Sequence, residues 1–152
     1  MIRVQREDFE IGAELSALTV GRHGVGGVAS FIGLVREMAE GKELSAMTLE
    51  HYPGMTERQL AALEDEALTR WPLDRVLIVH RYGRLAPGEQ IVLCVATASH
   101  RQAAFEACAF MMDWLKTKAP FWKLEEAADG AQWVEARDSD DQAVARWANN
   151  DR

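Results

Sequence analysis

Cysteine is scarce in this chain of 152 residues: there are two, Cys94 and Cys108. Both fall inside apolar patterns, so they read as small core residues and not as a disulfide framework or a metal pair. No apolar run approaches the roughly 20 residues that a membrane-crossing helix needs. The start of the chain, Met1-Ile2-Arg3-Val4-Gln5-Arg6, has no signal-peptide core. A reducing cytoplasm is the expected setting. Basic residues are outnumbered, with 17 Lys and Arg against 24 Asp and Glu and a formal net charge of -7. That balance argues against nucleic acid as a partner, and any anion site must be a local basic pocket on an acidic body. His23, His51 and His80 have no Cys or carboxylate at metal-like spacing, so no metal is assigned, and no cofactor either. No Gly-x-Ser-x-Gly turn occurs and neither cysteine stands beside an obvious base, which disfavours Ser and Cys nucleophiles. Repeats and low-complexity tracts are absent.

What remains is one ordinary globular domain over 1–152, 48% hydrophobic and 27% charged. Ile2 to Val4 starts a short strand, and Ile11, Leu15 and Leu18 mark the face of a short helix. The glycines from Gly21 to Gly27 precede the strand Val28–Arg36. A nucleotide loop would follow a strand, so they read as a flexible turn. After the polar loop Glu37 to Glu43, the alternation from Leu44 to Tyr52 predicts a strand pairing with the previous one. Pro53-Gly54 breaks it. Thr56-Glu57-Arg58-Gln59 has the form of a capping box for a helix burying Leu60, Leu63, Ala67, Leu68 and Trp71. Pro72 ends that helix. Strands follow over Arg75–His80 and Gln90–Ala98, with turns at Gly83 and Pro87-Gly88. Phe121–Glu126 and Ala131–Ala136 frame Asp129-Gly130 as a tight hairpin, closed by Arg137. Asp138 to Asp141 begins a last helix through Val144 and Trp147, and Asn149 to Arg152 should fray. The order predicts an α+β (mixed α/β) fold, a sheet covered by two main helices.

The densest chemistry follows the Gln90–Ala98 strand. Ser99 and Gln102 form a second capping-box pattern, and Phe105, Cys108, Ala109, Met112 and Leu115 give the next helix one buried face. His100 and Arg101 then occupy a first turn, where the helix dipole favours anions over cations. Free N–H groups with an Arg and a His fit a phosphate or carboxylate. A solvated Arg101 and a packed His100 are the plain alternative. Lys116 lies near the end of the same helix, bordering its buried face, before Ala119-Pro120 stops it. Lys123 alternates with Trp122 and Leu124 on a strand. A dipole-capping Lys and a solvated strand face are the plain readings of these two. Arg36 ends a strand and by itself signals little.

Four blocks together are similar to the catalytic (large) subunit family of molybdopterin synthase: Leu49-Glu50-His51-Tyr52-Pro53-Gly54-Met55-Thr56-Glu57; Ser99-His100-Arg101 with Ala104-Phe105-Glu106-Ala107; Leu115 through Lys123; and Trp133-Val134-Glu135-Ala136-Arg137. They run in order over nearly the whole chain. The resemblance implies an α/β hammerhead-type sheet with an added antiparallel β subdomain. It implies a homodimer carrying a small ubiquitin-like sulfur-carrier subunit at each end, a heterotetramer. The carrier's C-terminal thiocarboxylate would enter a pocket, and two sulfurs would pass to cyclic pyranopterin monophosphate, giving molybdopterin. The family's substrate contacts fall on Leu34, Val35 and Arg36, on His100 and Arg101, on Lys116, and on Lys123, Leu124 and Glu125. Leu34 and Leu124 stand where a basic residue is common, so only backbone contacts would survive there.

On that reading Arg36, His100 and Arg101 meet the phosphate, with the His-Arg pair open to coming from the neighbouring subunit. Lys116 is the main catalytic residue and Lys123 its electrostatic or acid–base partner, with Glu125 two positions along to orient Lys123. A Lys acting as nucleophile or base would need a lowered pKa. Two rivals remain: a non-catalytic dimeric docking module for a ubiquitin-like protein, and a phosphate-ester enzyme using His100 as general acid.

Overall fold

The computed structural model describes residues 1–39, 41–134 and 138–148, without the side chains of 138–141. In chain order the elements are β1 (Ile2–Gln5), α1 (Ile11–Thr19), β2 (Gly27–Leu34), β3 (Met38–Ala39), β4 (Lys42–His51), α2 (Met55–Arg70), β5 (Leu73–Arg81), β6 (Gly83–Leu85), β7 (Gln90–Ala98), α3 (Arg101–Thr117), β8 (Phe121–Ala127), β9 (Gly130–Val134) and α4 (Asp138–Ala145). Glu135, Ala136 and Arg137, expected to finish the last strand, lie outside the described residues, as do Asn149 to Arg152.

Two sheets divide the strands. The first runs β1-β5-β7-β2, with β1 parallel to β5 and the other pairs antiparallel. The second runs β3-β4-β8-β9, with β6 also paired to β4. The mixed α+β expectation holds, as does the added antiparallel part. One pairing differs. The strand from Leu44 was expected to pair with Val28–Arg36, but β4 pairs with β3, β6 and β8, and β2 lies along β7. The polar loop makes its own small hairpin, Met38 opposite Glu43, and hands the chain to the other sheet.

Alternation along the first sheet sends successive residues to opposite faces. Val76, Ile78, Cys94 and Ala96 pack under Leu60, Leu63 and Ala67 of α2 and Ala104, Ala107 and Met111 of α3. Leu77, Val79, Leu93 and Val95 face the other way, onto Phe9 and onto Leu18 of α1. Each fully buried Leu contributes about 2 kcal/mol by leaving water. Cys94 and Cys108 are buried free thiols in the first of these layers, as their apolar settings predicted. No helix among the described residues is long and apolar enough to cross a membrane.

Neither capping box forms as the sequence pattern predicts. Helix α2 starts at Met55, so the Glu57 carboxylate accepts from the Gly54 N–H at 2.5 Å, and Gly54, at φ +85°, takes a turn conformation that suits glycine. Thr56 sits inside the first turn, fully buried. Helix α3 has His100 as its extended N-cap with no side-chain cap bond, and Gln102 bonds forward to Glu106 at 3.1 Å.

Candidate active site

Strand β2 begins beside the end of β7, Gly27 opposite Ala98, and finishes beside its start, Leu34 opposite Gln90. Helix α3 follows β7 and packs back across the same sheet. The expected site residues therefore fall into two groups. Arg101 and Lys116 are fifteen positions apart on α3 (116 minus 101), or about 22 Å at a helical rise of 1.5 Å per residue. His100 and Arg101 stand at one end of the sheet. Leu34, Val35, Arg36, Lys116, Lys123, Leu124 and Glu125 stand toward the other.

At the second end the wall is apolar. Val35 is buried with Met47, Leu49 and Leu85, and its backbone is fixed by bonds to Glu89 and Gly88 at 2.9 and 2.8 Å. Arg36 follows it, exposed, at the mouth of the wall. Leu49 faces Lys123 and Met47 faces Glu125 across β4 and β8. Lys123 and Glu125 therefore leave from the face that carries the buried Leu49 and Met47, while Trp122, half exposed, leaves from the other. The predicted sharing of a face by Lys123 and Glu125 is present. Farther along, Glu125 joins Lys42, Leu44, Asp129, Gln132 and Val134 around a cleft of about 180 Å³. The Asp129 carboxylate bonds the Lys42 ammonium at 2.7 Å and is held below its ordinary range by that contact.

The charges of Lys116 and Lys123 are both felt at one buried ring. His80, 7% exposed at the end of β5, is pushed down to about 4, first by burial and then by the positive charges of Lys123, Lys116 and His51. Its Nδ1 lies 2.9 Å from the Arg81 carbonyl, which can only accept, so Nδ1 carries the hydrogen. Phe121 stacks on the imidazole, centroids 3.7 Å apart and planes 14° off parallel. His80 was missed in the sequence. The available signal was a titratable side chain closing the otherwise apolar run Val76-Leu77-Ile78-Val79.

At the first end, Gly26 and Gly27 pass close under the start of α3. A Cβ on Gly26 would stand 2.1 Å from the Ser99 carbonyl oxygen, and one on Gly27 3.5 Å from the Arg101 Cα. The Gly26 N–H also bonds the Ala98 carbonyl at 2.9 Å. These glycines, read as a flexible turn, are thus a close-approach point that seats Ser99-His100-Arg101. Both His100 and Arg101 are exposed, as an anion site reached from outside requires.

A family model described as "MoaE protein" matches residues 4–118. The chain belongs to the MoaE protein family. The match takes in Leu34, Val35, Arg36, His100, Arg101 and Lys116 and stops short of Lys123. The molybdopterin synthase catalytic subunit of Ralstonia nicotianae is 55% identical over 146 residues, 96% of this chain and 83% of that one. The solved MoaE protein of Burkholderia ambifaria has a TM-score of 0.83 at 51% identity, covering 97% of each chain. Molybdopterin synthase from Staphylococcus aureus has a TM-score of 0.81 at 29% identity, covering 88% of this chain and 96% of that one. These MoaE likenesses extend over both sheets, so the fold expected from the four sequence blocks stands.

Proposed function

We propose that this chain is the sulfur-transferring, catalytic subunit of a molybdopterin synthase. It takes sulfur from the C-terminal thiocarboxylate of a small ubiquitin-like carrier and passes two sulfurs to cyclic pyranopterin monophosphate. It works as a homodimer with one carrier at each end, in the cytoplasm. The relatives' shared name supports the reaction. What supports the residue roles is the path of the chain: Lys123 leaves from the face of the buried Leu49, seven residues after Lys116, and the turn between them is seated by the stack of Phe121 on His80.

The chemistry follows from charge. A thiocarboxylate is an anion, and its attack on the pterin builds further negative charge on oxygen. Two ammonium groups, the exposed Lys116 and the partly buried Lys123 beside the apolar wall, stabilise both. Lys116 is the main catalytic residue and Lys123 its partner. Glu125, on the same face as Lys123, orients it. Arg36 lies at the mouth, while His100 and Arg101 present donors suited to the precursor's phosphate. Leu34, Val35 and Leu124 complete the substrate contacts. A single copy holds its His-Arg pair too far from its own lysines to touch one small substrate, which supports a neighbouring copy as the source of that pair.

The test is reconstitution. The protein is mixed with thiocarboxylated carrier and the cyclic precursor, and dithiolene formation is followed. Lys116→Ala is expected to abolish product while carrier binding persists. Full turnover in that variant removes Lys116 from the mechanism.

A further inference from the structure

Seven steps of chain join Lys116 to Lys123, through a helix end, the Ala119-Pro120 break and the start of β8. A linker of that kind, left to itself, would let the two ammonium groups drift. Here it is tied from behind at two successive residues. Thr56, fully buried in the first turn of α2, donates its hydroxyl hydrogen to the Pro120 carbonyl at 3.3 Å and accepts the Tyr52 N–H at 3.0 Å. The next residue, Phe121, lies flat on His80 of the other sheet. Tyr52 follows His51, which itself pairs with Phe121, so the hydroxyl closes the open end of the β4–β8 ladder.

We propose that Thr56 and His80 are positioning residues for the two lysines: the hydroxyl bridge at Pro120 and the ring stack at Phe121 fix the turn between them. The inference rests on the catalytic reading of Lys116 and Lys123 given above. It also gives a use to the Tyr52-Pro53-Gly54-Met55-Thr56 block, which contains none of the proposed substrate contacts. Gly54 lets the chain enter α2 abruptly, and that entry puts Thr56 between the two strand ends. A valine would fill the same space as Thr56 but leave the Pro120 carbonyl and Tyr52 N–H without their shared partner. The polar choice is therefore the informative one. At His80 the informative property is a flat ring, since the imidazole is neutral and adds no third charge behind the lysines.

Two pairs of substitutions test this in the reconstituted complex. Thr56→Val is expected to lower kcat at least 10-fold with the precursor KM unchanged within 2-fold, and Thr56→Ser to restore it. His80→Leu is expected to lower kcat similarly, while His80→Phe, which keeps a ring over Phe121, stays within 3-fold of wild type. Side-chain NMR signals of Lys116 and Lys123 should move in the Val and Leu variants and return in the Ser and Phe variants. The proposal is overturned if Thr56→Val leaves kcat and both lysine signals unchanged. It is equally overturned if His80→Phe is as damaging as His80→Leu. Should Thr56→Val fail to fold, the His80 pair decides alone. Shifted lysine signals with undiminished turnover in Lys116→Ala would instead overturn the catalytic reading while leaving the positioning intact.

Discussion

Lys123 stands opposite Leu49 across the β4–β8 ladder, so a cationic side chain leaves from the same face as a leucine that is 1% exposed. Its stem lies beside that apolar face, and in the proposed mechanism its ammonium does the chemistry. Lys123→Met keeps the stem and deletes the charge. Product formation should fall by about 100-fold, the scale of a lost transition-state donor, with the thermal midpoint within a few degrees of wild type. Dithiolene assays and a melting curve on the same sample check both halves.

The depressed proton affinity of His80 makes stability depend on pH. In the unfolded chain this ring titrates near 6.5; in the fold it resists protonation until about 4. The unfolded state therefore binds the extra proton between those values, and stability falls as pH drops through that window. Above pH 6.5 the ring is neutral in both states and contributes no slope. The loss should approach about 3 kcal/mol by pH 4, at ~1.36 kcal/mol for each pH unit of the window. Urea midpoints from pH 7 to pH 4 measure it, and His80→Phe should remove this part of the slope while leaving that of the carboxylates.

Gly26 has no room for a methyl group. Gly26→Ala would drive a Cβ into the Ser99 carbonyl, and the backbone must yield. A cost of about 1–3 kcal/mol is expected, the range for overpacking. Because the yielding segment carries His100 and Arg101, precursor affinity should fall as well, and calorimetric titration of the folded variant reads that loss separately.

Arg101 is exposed at the N-terminus of α3 with no acidic residue in that first turn. Arg101→Ala should weaken precursor binding by ~2 kcal/mol, the scale of a charge-assisted hydrogen bond. The deficit should shrink as salt is raised, because exposed charge is screened. Unchanged affinity at low salt counts against the phosphate assignment.

Local pattern made most of the elements legible. Continuous apolar runs located β5 and β7, the 3.6-residue period located α1, α2 and α3, and Asp129-Gly130 marked the hairpin between β8 and β9. Partnership was not legible. The pattern of β4 marks a strand with one buried face, but nothing local says that Leu49 lies opposite Lys123 and not opposite a residue of β2. Strand β6, three residues between Gly83 and Pro87, is too short for any period to register. The caps misled for a related reason. Ser99 and Gln102 have capping spacing, yet the close approach of Gly26 and Gly27 coincides with a helix that begins one residue later. Of the candidate site, the cations were visible one by one. The roles of Thr56 and His80 were not visible, since a hydroxyl in a capping pattern and an imidazole ending a strand are ordinary until a distant segment comes to rest on them.

Helix α3 carries the proposed phosphate-binding pair at its beginning and the proposed sulfur-transfer lysine at its end, and its length keeps them apart within one molecule. In the proposed homodimer each copy would then lend its front half to one cavity and its rear half to the other. Co-expressing Arg101→Ala with Lys116→Ala would sort both lesions into one cavity of a mixed pair and leave the second intact. Two impaired parents should yield offspring with one fully working cavity, and a helix lengthened by a turn should break that trade in both cavities at once.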